Sequence, residues 1–164
     1  MQKIFISIFT LLTCSASAQT IQKNGIIYKE HPYIDVVNNI ISLYPKNSWD
    51  ELSKLYADTA TFIDLRNYKQ YRLDDAKKYW QNLGLDLADN WEQLTIVKLG
   101  FPDGLAYEKD PFNVVAWFTV TMINKKTLKR ARFTIVLNDV FNKNGKISSE
   151  SFLCDIMPIM EAMR

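Results

Sequence analysis

The spacing of apolar residues changes once along the chain. It is helical in the first half and alternating in the second. In "HPYIDVVNNIISLYP", Ile34, Val37, Ile40, Ile41 and Tyr44 recur every three or four residues, so the segment reads as an amphipathic helix that opens at Pro32 and stops before Pro45. "SWDELSKLY" reads as a second helix. Ser48 and Glu51 have capping-box spacing, and Leu52, Leu55 and Tyr56 form its apolar side. A short apolar strand, "ATFIDL", follows and ends near Asp64. "DDAKKYWQNLG" predicts a third helix, capped by Asp74, with Ala76, Tyr79, Trp80 and Leu83 inward and Gly84 just past its end.

Beyond residue 90 the period becomes two. "WEQLTIVKL", "NVVAWFTVTMI", "RARFTIVLNDVF" and "ISSESFLCD" read as strands. "FPDG" and "EKDPF" punctuate a loop, "NKKTLK" joins the two long strands, and "NKNGK" is a turn. Helices first and an antiparallel meander second predict an α+β domain, with helices on one face of a curved sheet. On the strand of Trp117, one face carries Val114, Ala116, Phe118, Val120 and Met122, the set expected beneath the helices. The opposite face, with Val115, Trp117 and Thr119, suits either a pocket wall or a sheet-to-sheet dimer contact.

Residues 1–18 have the form of a signal peptide: a basic start at Lys3, a short apolar core, and small residues up to Ala18. The expectation is an exported chain, periplasmic or secreted, starting at Gln19, with a loose arm over residues 19–30 and one domain over residues 31–164. The style of the leader is bacterial. A lipid anchor at Cys14 is a minor alternative, because Thr13 fits poorly before a lipidated cysteine. No other segment reaches the length of a membrane-spanning helix.

Removing residues 1–18 leaves Cys154 without an internal disulfide partner, so the fold must rest on its core. A chain 48% hydrophobic and 13% aromatic can supply one. Basic residues number 20 against 18 acidic ones, a near-neutral balance that argues against nucleic-acid binding. "KKTLKRAR" then reads as a solvated hairpin turn. His31, the single histidine, stands at a helix start, and no spacing of histidine, cysteine and carboxylate suggests a metal site. Met157, Met160 and Met163 read as an apolar tail over the core in preference to a soft-metal site.

The order of elements, with "WDELSKLYADTATFID" early, "VVAWFTVT" between and "FNKNGKI" late, resembles the nuclear transport factor 2-like superfamily, in particular its SnoaL-like branch. The likeness spans residues 31–158. It implies a cone: a strongly curved antiparallel sheet wrapped around the N-terminal helices, with a pocket at the open end. It also implies a role for Asp64. In ketosteroid-isomerase-like members an acid at the end of the first strand is the general base, partnered by a helix tyrosine and a second acid. Tyr44 and Asp155 are the candidates for those partners, and Trp80 and Trp117 for the pocket wall. Against these stand plainer roles, with Asp64 and Asp155 as acids that accept backbone hydrogen bonds and Cys154 as a buried, inert thiol.

The reading is therefore a domain that binds a small apolar or aromatic molecule, with no cofactor. The alternatives are a cofactor-independent isomerase or dehydratase using Asp64, and a module that forms a homodimer through its sheet.

Overall fold

The computed structural model describes residues 25–43, 46, 48–82, 90–98, 102–107 and 111–164, with side chains for all of these except 79–82, 93–94, 98 and 107. Residues 1–18, Cys14 among them, and Tyr44 lie outside the described residues, as do Leu83 and Gly84. The strands are β1 (Gly25–Tyr28), β2 (Tyr56–Asp64), β3 (Lys69–Arg72), β4 (Trp91–Lys98), β5 (Asp103–Tyr107), β6 (Asn113–Asn124), β7 (Arg130–Phe141) and β8 (Ile147–Cys154). The helices are α1 (Pro32–Leu43), α2 (Trp49–Ser53), α3 (Leu73–Asn82) and α4 (Met157–Met163).

One curved sheet runs β1-β5-β6-β7-β8-β2-β3, and β4 pairs with β6 beside β5. The fold is α+β, as the periodicity predicted, and mostly antiparallel. One pairing departs from the expected meander: β2 runs parallel to β8. Parallel neighbours need a long connection, and nearly the whole chain supplies it. β2 enters the sheet after the first two helices and is met by the last strand to be made.

The start of α1 is fixed by His31. Its Nδ1 accepts a hydrogen bond from Tyr33 N at 3.2 Å, and its carbonyl accepts from Ile34 N at 2.9 Å. Ile34, Val37, Ile40 and Ile41 are buried, the stripe read from their spacing. Three local expectations are corrected. Ser48 makes no side-chain capping bond, and α2 is one short turn, so Tyr56 belongs to β2. Residues 25–28, expected in a loose arm, form β1 against β5. Residues 103–107, expected in a loop, form β5. Both short strands depend on pairing with a distant partner, which a local pattern does not carry.

Along β6, Val114, Ala116, Phe118, Val120 and Met122 are buried on the inner face, the set predicted to lie under the helices. β7 matches them with Ala131, Phe133, Leu137 and Phe141. Full burial of such a side chain stabilises by about 1.5–3 kcal/mol. The C-terminal tail forms α4, with Ile159 and Ala162 buried, and packs on β6 and β7. Thr127 in the β6–β7 turn donates to the Ala162 carbonyl and ties this helix to the hairpin. Gly145 closes the β7–β8 turn at φ +73°, a conformation that favours glycine. Tyr33 sits against that turn and stacks on Phe141 with centroids 4.3 Å apart.

Candidate functional site

Side chains of α1, α2 and α3 and of the inner face of the sheet surround a common space. They leave a cavity of about 80 Å³. A single water needs only about 10–15 Å³. The wall is apolar almost throughout, with Ile41, Leu52 and Ala76 from the helices and Phe118, Phe133 and Phe152 from the sheet. Alternation along the strands makes it so, because every second residue of β6, β7 and β8 points inward.

Two inward positions break the rule. Asp139 occupies an inner-face position of β7 between Leu137 and Phe141, and Glu150 lies directly opposite it on β8. Asp139 is 0% exposed and Glu150 is 6% exposed. Glu150 reaches the cavity wall; Asp139 is not part of the lining. Tyr56, also on the wall, donates its hydroxyl to Glu150 Oε2 at 2.6 Å. The two acids interact across the strand pair, yet neither Asp139 oxygen is in hydrogen-bonding geometry with any described atom.

Burial sets the proton affinity of this pair. It raises Asp139 well above the ordinary carboxylate range, and the neighbouring charge of Glu150 raises it further. Burial also raises Glu150, while the Tyr56 hydrogen bond and the neighbouring Asp139 carboxyl oppose the rise. Asp139 is thus the proton holder of the two. A proton on it can bridge to Glu150, whose charge Tyr56 also supports.

The other titratable groups of the wall are Lys77, from α3, and the Cys154 thiol. Burial pushes Cys154 up to about 11, with Arg66 opposing the rise and Asp64 and Asp155 adding to it. Among the described residues no ion pair joins Lys77 to either acid. Among the described residues, no group of three or more histidine, cysteine or carboxylate side chains is placed to hold a metal.

Of the acids and aromatics singled out in the sequence, Asp64, Trp117 and Asp155 do not line this cavity. Asp64, expected as a base, is fully buried at the end of β2 but absent from the lining. Arg66 holds it with two hydrogen bonds, Nε at 2.9 Å and Nη2 at 2.5 Å, and the Arg66 backbone N–H adds a third at 3.0 Å. Asp155 is exposed and accepts from Met157 N at 2.9 Å, so it fixes the entry to α4. Trp117 points away from the cavity, on the outer face, and is 40% exposed. Trp80 lies in α3, in the part whose side chains are outside the description. The missed residues, Asp139 and Glu150, did leave a trace in the sequence: each is an acid at an inward register whose neighbours two residues away are Leu137 and Phe141 in one strand and Phe152 in the other.

An open, curved sheet folded over helices around an apolar cavity defines a cone-shaped α+β protein. The fold is that of the nuclear transport factor 2-like proteins, including the SnoaL-like ones. An NTF2-like protein from Burkholderia thailandensis superposes with a TM-score of 0.59 at 14% identity, covering 82% of this chain and 99% of that one. A SnoaL-like protein from Shewanella putrefaciens gives 0.60 at 9% identity over 82% and 98%. An LEH-like epoxide hydrolase from M. tuberculosis gives 0.54 at 10% identity over 79% and 87%. At these identities the likeness is one of fold. No protein-family profile and no curated protein matches the sequence.

Proposed function

We propose that the chain is an exported binding domain whose cone holds one small, mostly apolar molecule. The cavity carries the reading. Protein interiors pack to crystal density, and here a cavity remains between helices and sheet, walled mainly by Ile, Leu and Phe side chains. The leader-like pattern of residues 1–18 supports export. An enzyme using proton transfer is the second reading, favoured by the Tyr56–Glu150 pair on the wall. Arg66 engages Asp64, so in that reading the base role passes from Asp64 to Glu150.

Toluene, followed by NMR on a chain starting at Gln19, tests the binding domain. Shifts are expected at the cavity wall, and Ala76→Leu, which fills the space, is expected to abolish them. In a packed core that extra volume would destabilise by about 1–3 kcal/mol; in an open cavity the melting temperature should hold. Toluene without effect on the wall residues would sink the proposal.

A further inference from the structure

Glu150 gives the cavity a chemical preference. Its carboxyl is more than nine-tenths buried, lies on the wall, and has Tyr56 as its single hydrogen-bond donor among the described residues, through Oε2. Oε1 has no hydrogen bond there, and a carboxylate can accept about four. Asp139 stands opposite on β7, buried, with both oxygens unmatched. No lysine or arginine forms an ion pair with either acid among the described residues. Two facing carboxyl groups without a cation cannot both ionise readily, and they keep one proton between them. What remains is a carboxylate hydrogen-bonded by Tyr56 and faced by a protonated Asp139, with accepting capacity left at the wall of an apolar space.

We infer that the cavity selects an apolar molecule bearing one basic nitrogen, its ammonium seated on Glu150 and its body against the Ile, Leu and Phe wall. This rests on the binding-domain reading and names the ligand class for it. The carboxylate has already lost its water on folding, so a cation that reaches it meets a desolvated partner. Charged hydrogen bonds are about twice as strong as neutral ones. An oxygen compound of the same shape could use the wall but would add only a neutral hydrogen bond.

Benzylamine, benzyl alcohol and toluene share one ring and differ in the group offered to Glu150. At pH 7.5, NMR titration should show benzylamine binding about tenfold tighter than benzyl alcohol. Glu150→Gln should bring the two within about twofold, and Asp139→Asn, whose amide can still donate to Glu150, should keep the preference. A second arm uses the unaltered protein. The titratable groups around Glu150 are Tyr56 on β2, Asp139 on β7, Cys154 on β8 and Lys77 on α3. As pH falls through the Glu150 titration, benzylamine should weaken while benzyl alcohol stays constant. Equal affinities for amine and alcohol, or a preference that survives Glu150→Gln, would overturn the inference, and equal affinities would give the cation's place to Lys77. Toluene binding without amine preference would leave the binding domain standing; binding by none of the three would remove both.

Discussion

Asp139 and Glu150 face each other across β7 and β8, two buried carboxyl groups in a row that is otherwise Val114 on one side and Phe62 on the other. A pairing that costs this much desolvation should register in the pH dependence of stability. Both groups bind protons more tightly in the fold than in the unfolded chain, whose ordinary values are 3.8 and 4.5. Their contribution is therefore fully favourable below about pH 4 and is lost as pH rises toward the raised folded values. Asp139→Asn removes the larger part of that loss. Urea denaturation should show the variant gaining on the unaltered protein by about 1–3 kcal/mol between pH 4.5 and pH 8. Parallel pH profiles would mean that the pair does not hold its protons as the geometry implies.

Asp64 and Arg66 form a different kind of pair, a carboxylate and a guanidinium joined at the end of β2. Asp64→Asn leaves the guanidinium without its partner and should lower stability by about 2–4 kcal/mol, read as a drop in melting temperature. Toluene binding should survive, because Asp64 does not line the cavity. Unchanged melting with lost binding would return Asp64 to the site.

Cys154 is buried, and its thiol is pushed up to about 11. In a chain starting at Gln19, Ellman's reagent at pH 8 should react with it only at the rate of unfolding and at once in denaturant. Fast reaction in the native protein would show an open route from solvent to the cavity wall.

The outer face of the sheet aligns Trp117, Val136 and Leu153 across three strands, with Val97 close by on β4. Leu153 is 45% and Val97 53% exposed. If copies associate through this face, sedimentation velocity should show a dimer that Leu153→Lys converts to monomer, with toluene binding unaffected. A monomer at high concentration would rule out the dimerising module.

Much of the frame was legible in the chain itself. The stripe Ile34, Val37, Ile40 and Ile41, the alternation from Val114 to Met122, the turn at Gly145 and the position of His31 at a helix start are each set by residues within a few positions of one another. Local spacing decides them, and the structure agrees. Strands β1 and β5 were not legible, because short strands owe their existence to partners far away in sequence. The same holds for the parallel pairing of β2 with β8.

The sequence by itself determined the α+β class, the inner face of β6 and the near neutrality of the chain. Tertiary structure alone decided which acid meets the cavity. Asp64 stood out because it ends a strand, but Arg66, two residues on, turns back to neutralise it. Asp139 and Glu150 drew no notice singly; register brings them face to face, and Tyr56, 94 residues away from Glu150, completes the set. A carboxylate's chemistry depends on what surrounds it after folding, on burial and on the nearest charge, and those are properties of packing that spacing along the chain does not encode.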